Sequence, residues 1–217
     1  VRTLRRTKRV HSQRGAALLI AIFVLMLISV MATALILMAG TESALKGNYK
    51  SAMQAFYAAK AGLEEGRGRL WAGNPSRFGA SVFPLNGAAM LPGQVVYVTN
   101  PSGSEIVDPS DPANPYYDSE YLQEWGAAPP PTALKIPSTS ASGSIKGPLY
   151  KWVRIAPRTK FSAKMDVDGV GNFNDNTNPL YYDGTQQLLS SGPGTSVAGT
   201  SQAWQVFTVT ALAVTGP

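Results

Sequence analysis

The order of hydrophobic and polar positions divides the chain into a cationic start, a long apolar run and a polar remainder. Residues 1–15 are rich in arginine and lysine, and residues 16–39 then form an apolar run whose only hydroxyl side chains are Ser29 and Thr33. A helix of that length rises about 36 Å, which exceeds the ~30 Å hydrocarbon core of a bilayer. The pattern therefore predicts one transmembrane helix over residues 16–39.

A second helical pattern follows the apolar run directly. No proline occurs between Glu42 and Trp71, and apolar or small residues recur there in steps of four and three positions. This spacing places them on one face of a helix, with most of the charged residues off that face. This stripe consists of Leu45, Tyr49, Ala52, Phe56, Ala59, Leu63, Gly66 and Leu70. We therefore predict an amphipathic helix over residues 40–72 that continues the membrane helix and stops at its glycine-rich end.

Residues 73–217 are rich in proline, glycine and serine, a composition that favours extended loops. Three β-branched and aromatic segments predict strands: Gln94–Thr99, Leu149–Ile155 and Trp204–Val214. No helical pattern separates them, so we expect an antiparallel sheet. The predicted fold is α+β, with a long N-terminal helix packed on a loop-rich antiparallel β-sheet domain. Because the turn signal at residues 215–217 follows a long strand, we expect a returning strand beyond it, and hence a C-terminally truncated domain.

Aromatic residues cluster in the proline-rich part of this region, at Tyr116, Tyr117, Tyr121 and Trp125. Two interpretations are open for them. The side chains pack the long loop onto the sheet, or they form an exposed patch that contacts carbohydrate or another surface.

Charge and composition narrow the classes of function. The formal net charge of +6 comes from residues 1–15, which hold six of the 19 basic residues and none of the 13 acidic ones. The rest of the chain is neutral, so nucleic acid is not an expected partner. Cysteine is absent, and the single histidine, His11, lies in the cationic start. The remainder lacks the commonest general base, the thiol nucleophile and most zinc ligands, and we expect no enzymatic activity.

The junction between the charged start and the apolar run indicates how the chain is processed. A secretory signal peptide is cut after an apolar core of ~7–15 residues. Here the small residue at a charged-to-apolar boundary is Gly15, and it precedes a longer core. The excess of basic residues on this side predicts a cytoplasmic N-terminus, with residues 40–217 exported.

Four segments of the chain resemble the N-terminal domain of PilX-like minor pilins of the type IV pilus. They are Gln13–Ile20 (QRGAALLI), Gly40–Glu42 (GTE), Gly47–Tyr49 (GNY) and Gln54–Glu64 (QAFYAAKAGLE). The resemblance covers residues 13–71, and Lys60 departs from it where the family pattern has an acid.

This resemblance implies a class III prepilin leader over residues 1–15. Prepilin peptidase would cut after Gly15 at the cytoplasmic face of the bacterial inner membrane, leaving an N-methylated Ala16. The resemblance also implies a structural subunit that binds other pilins through its N-terminal helix. Such a minor pilin takes part in pilus assembly and initiation at or near the tip, and adhesion at the cell surface is a further expected role.

Ile20 occupies the fifth position of the chain that this cleavage would produce. Most pilins carry a glutamate there, which is thought to neutralise the α-amine of a neighbouring subunit. A buried, unpaired ammonium costs several kcal/mol, so Ile20 disfavours interior positions in a fibre and favours the tip. The tip pseudopilin of type II secretion shares this omission and is one alternative. Another is a membrane-anchored extracytoplasmic binding module that never enters a fibre and keeps its leader.

Oxygen-bearing side chains recur from Asp166 to Thr177, with glycines between them (DVDGVGNFNDNT). Ca²⁺ takes about six to eight oxygen ligands, and Asp166, Asp168 and Gly171 match positions one, three and six of an EF-hand loop. Thr177 stands where that loop has a bidentate glutamate. Two interpretations are open: a Ca²⁺ site on Asp166, Asp168 and Asn172, or a succession of Asx-turns.

Overall fold

The structure is a computed structural model that describes residues 13–71, 74, 78, 90–91, 93–102, 104–138, 150–176, 178–182, 184, 188–189 and 204–215. The helices are α1 (Gln13–Leu70), α2 (Ser119–Trp125) and α3 (Lys160–Ala163). The strands are β1 (Val96–Thr99), β2 (Leu134–Pro137), β3 (Tyr150–Pro157), β4 (Tyr181–Tyr182), β5 (Leu188–Leu189), β6 (Trp204–Gln205) and β7 (Phe207–Ala213). The chain forms two compact units, Val1–Ser51 and Ala52–Pro217, and α1 contributes to both.

The first unit consists, in its described part, of α1 alone. Among the residues that the structure describes, α1 is the helix that is long and apolar enough to cross a membrane. Its two hydroxyl side chains in the apolar run are satisfied within the helix: Ser29 donates to the Leu25 carbonyl (2.9 Å) and Thr33 to the Ser29 carbonyl (2.8 Å). An unpaired hydroxyl would be costly in hydrocarbon, so this segment suits a lipid environment.

The second unit is built on a four-stranded sheet in the order β2-β1-β3-β7. Strand β3 pairs antiparallel with both β1 and β7, whereas β1 and β2 pair in parallel. The sheet is therefore mixed, and the expectation of a purely antiparallel sheet was wrong at the β1–β2 pair. Parallel strands need a long crossover connection, and α2 supplies part of it between β1 and β2. The sequence pattern did not reveal this short helix, which Asp118 caps at its N-terminus and Gly126 ends in a left-handed conformation.

The three predicted strands are confirmed as β1, β3 and the β6–β7 segment. The last of them is divided at Val206, which does not continue either strand. Its N–H donates to the Leu180 carbonyl (2.9 Å) and its carbonyl accepts from the Arg158 N–H (2.8 Å). As a result β6 joins a small second sheet of order β5-β4-β6, while β7 forms one edge of the main sheet.

Each face of the main sheet carries its own hydrophobic cluster. The cluster on one face includes Val98, Val153 and Ile155 with partly buried Leu70 from the end of α1. The cluster on the other face includes Tyr97 and Trp152 with the α2 residues Tyr121 and Trp125. Burial of large apolar and aromatic side chains on both faces stabilises this three-layer arrangement of helix, sheet and helix.

Candidate functional site

The predicted processing junction lies within α1. Gly15 is exposed, and a β-carbon built on it would meet no atom within 4 Å among those of the described chain. Packing within the described part of the chain therefore does not require a glycine at this position. Ala16 and Ile20 follow on the same exposed segment of helix. The structure places the three predicted residues together, and their processing and assembly roles remain predictions.

The part of α1 in the second unit packs on the sheet through its smallest residues. Ala58, Gly62 and Gly66, spaced four apart, are buried. A β-carbon at Gly62 would lie 3.0 Å from Val153 Cγ2, and one at Gly66 would lie 2.8 Å from Cγ1 of both Val153 and Val209. These glycines let the helix backbone approach β3 and β7 closely. The four-residue spacing of these small residues is the sequence signal of this contact.

Most of the apolar stripe predicted on α1 lies on a different side of the helix from Ala58 and Gly62. In the second unit Phe56 is 61% exposed and Leu63 is also exposed. Earlier on the same stripe, Leu45 and Tyr49 are exposed within the first unit. Most large side chains of the stripe are therefore not used for packing within the described chain. The stripe is a candidate surface for another protein or for lipid.

A buried clamp holds the end of α1 on the sheet. The Arg69 guanidinium donates to Glu65 Oε1 from both Nε (3.1 Å) and Nη2 (2.8 Å), and Nη2 also reaches the Pro137 carbonyl at 3.5 Å. Its guanidinium carbon lies 5.6 Å from the centre of the Phe78 ring. This arrangement ties the last helical turn to β2, close to the predicted helix end.

The aromatic cluster of the proline-rich region packs mostly inward. Tyr121 and Trp125 are buried, and their rings stack with centroids 5.7 Å apart. Tyr116 is half-buried, and its carbonyl accepts from Trp152 Nε1 at 2.6 Å. The packing interpretation therefore holds for these residues, and they do not form an exposed adhesive patch.

A buried charge network lies on the same side of the sheet and was not predicted. Arg154, fully buried on β3, donates to Asp118 Oδ2 at 2.7 Å and is also paired with Glu124. Tyr97 donates its hydroxyl to Asp118 at 2.9 Å. Burial raises the pKa of the Glu124 carboxyl, although Arg154 acts in the opposite direction. The network orients α2 on the sheet. Arg154 lies 30 or more residues from both carboxylates in the sequence, so no local sequence pattern predicts that they pair.

The predicted calcium loop folds as linked turns. Asp166 accepts the N–H groups of Gly169 (3.1 Å) and Gly171 (2.7 Å), and Asn172 accepts that of Asn174 (3.0 Å). Asp168 accepts the Val170 N–H (3.3 Å) and is paired with Lys160. No group of three or more His, Cys, Asp or Glu side chains converges as a metal site in the described part of the chain, and Thr177 lies outside it. The geometry favours the Asx-turn interpretation, and calcium binding stays a prediction.

Comparison with known proteins leaves the family open. No family model, curated protein or solved structure matches the chain. The likeness to PilX-like minor pilins is therefore carried by the segments within residues 13–71, and any functional conclusion depends on the geometry described above.

Proposed function

We propose that this chain is a structural minor pilin of the PilX-like type, a non-enzymatic subunit of the type IV pilus. Its leader over residues 1–15 is removed by prepilin peptidase, and residues 16–39 hold it in the inner membrane before it enters the fibre. It acts in assembly or initiation at or near the tip, with adhesion as a further role. The observation that carries the proposal is the exposed apolar stripe on α1.

This stripe supports assembly because most of its large side chains take no part in the contact of α1 with its own sheet. Ala58, Gly62 and Gly66 serve that contact, whereas Phe56 and Leu63 project away from it and are exposed. Soluble chains rarely leave contiguous large apolar side chains in water, and such patches mark binding surfaces. The partner that fits an apolar helix face beside a membrane segment is the corresponding helix of a neighbouring pilin.

Ile20 supports a position at or near the tip. An interior subunit would have to receive the α-amine of a neighbour, and Ile20 offers that amine no carboxylate. A buried, unpaired charge costs several kcal/mol, so few copies should occupy interior positions. Beyond α1, the helices of the described residues are α2 and α3, which span only seven and four residues. Their small size supports the type IV assignment over a type II secretion tip subunit, for which a large helical insertion is expected.

A matched pair of neighbouring residues tests the role of the stripe. Phe56 (61% exposed) belongs to the stripe, while Tyr57 (59% exposed) lies about 100° round the helix from it. Phe56→Arg should lower the amount of this protein in sheared pili, whereas Tyr57→Arg should leave it close to wild type. Both variants should keep the wild-type melting temperature, since neither side chain is buried. Wild-type incorporation of Phe56→Arg would show that the stripe is not the assembly surface. Absence of the wild-type protein from sheared pili would instead support a membrane-anchored binding module that does not enter a fibre.

A further inference from the structure

The loop over residues 166–176 is fastened to the rest of the second unit at both ends. Near its start, the Asp168 carboxylate is paired with the Lys160 ammonium. Near its end, Asn176 accepts from the Thr159 hydroxyl at 2.8 Å and donates to the Trp125 carbonyl at 3.1 Å. The two attachments hold the loop against α3 and the end of α2.

Lys160 is unusual in this arrangement because it is buried, with only 4% of its surface exposed. It is the first residue of α3, and the preceding Thr159 forms a capping box with Ser162 that fixes where the helix begins. The capping box therefore fixes the lysine backbone in the first turn of the helix. A buried ammonium needs a counter-ion, and the carboxylate of Asp168 is the partner that contacts it.

We propose that the Lys160 ammonium supplies the positive charge that a calcium ion supplies in EF-hand loops, so that this loop folds without a divalent cation. Asp168 corresponds to position three of such a loop, and its carboxylate faces the ammonium. A calcium ion bound there would lie beside a second positive charge, and like charges this close together repel. Lys160 thus explains how a calcium-like sequence serves as a permanent structural turn.

The test is thermal unfolding of the full-length chain in detergent, in chelator and in millimolar calcium. The wild-type melting temperature should be the same in both conditions. Asp168→Asn should lower it by several degrees in both, since it leaves a buried ammonium without its counter-ion. Lys160→Met should lower it less, because Asp168 is partly exposed and water can solvate it. The double variant Lys160→Met/Asp168→Asn should then melt above Asp168→Asn alone.

A control variant separates this pair from a general effect of charge. Asp111→Asn removes a carboxylate from the same unit outside the loop, and its effect should simply add to that of Lys160→Met. Additive effects of Lys160→Met and Asp168→Asn would overturn the proposal, since the two groups would then be independent. A calcium-induced rise of the wild-type melting temperature would also overturn it. If Asp168→Asn fails to fold, equilibrium dialysis of the wild-type chain with calcium keeps the test decisive. Calcium binding by the wild-type chain at this loop would refute the proposal.

Discussion

Gly66 offers a direct test of how α1 packs on the sheet. A methyl group added by Gly66→Ala would lie 2.8 Å from Cγ1 of both Val153 and Val209. Carbon atoms normally approach to ~3.5–4.0 Å, and these two valines belong to different strands. The helix would therefore have to move away from the sheet, at a cost of about 1–3 kcal/mol for an overpacked core. The better helix propensity of alanine offsets about 1 kcal/mol of that cost.

Gly68→Ala is the matched control on the same helix. Among the described residues, a β-carbon there meets the side-chain amide of Asn74, at 3.1 Å, and the end of a side chain can move more easily than two packed strands. The same propensity gain applies, so Gly66→Ala should be less stable than Gly68→Ala by about 1–3 kcal/mol, or roughly 2–12 °C in melting temperature. Urea unfolding followed by tryptophan fluorescence would measure it, since Trp152 is buried in the sheet. Equal stabilities of the two variants would refute the close packing at Gly66.

Two further predictions concern the second unit. Lys164 ends α3 in a left-handed conformation, with φ at 53°, which costs a residue other than glycine roughly 1–2 kcal/mol. Lys164→Gly should therefore raise the urea midpoint of unfolding. A lower midpoint would show that the contact of Lys164 with the Phe161 ring contributes more to stability than the strain costs. Burial opposes ionisation of Glu105, but hydrogen bonds led by that from Lys151 outweigh it and lower the pKa to about 2. The stability this gives is present above the ordinary pKa of 4.5 and is lost as the pH falls towards 2. Glu105→Gln should flatten the pH dependence of the melting temperature in that range, and an unchanged profile would contradict the assignment.

Local patterns were sufficient to predict the helices and strands that have strong periodicity. Uninterrupted apolar sequence and the absence of proline predicted α1, which the structure shows over Gln13–Leu70. β-branched and aromatic runs predicted β1, β3 and β7, because such side chains favour a pleated, buried surface. The ends of these elements follow the glycine and proline signals to within a few residues.

The features that local patterns missed depend on contacts between distant residues. The parallel pairing of β1 with β2 requires the crossover through α2, whose seven residues are too few for a clear helical period. The network around Arg154 joins residues from β1, β3 and α2. Likewise, α1 packs on the sheet through the side on which Gly62 and Gly66 let its backbone approach closely. Hydrophobicity alone predicted that the apolar stripe, most of which is exposed, would be the packed side.

The measurement that tests the proposed function most directly is the N-terminal residue of the chain after co-expression with prepilin peptidase. The account predicts a chain that begins at a methylated Ala16, identified by mass spectrometry of the membrane-extracted protein. Gly15→Leu should block this cleavage. Gly40→Leu should be processed normally, since a β-carbon added at this other α1 glycine would meet no atom of the described residues within 4 Å. Recovery of the intact leader from the wild-type chain, or normal cleavage of Gly15→Leu, would contradict the assignment as a pilin.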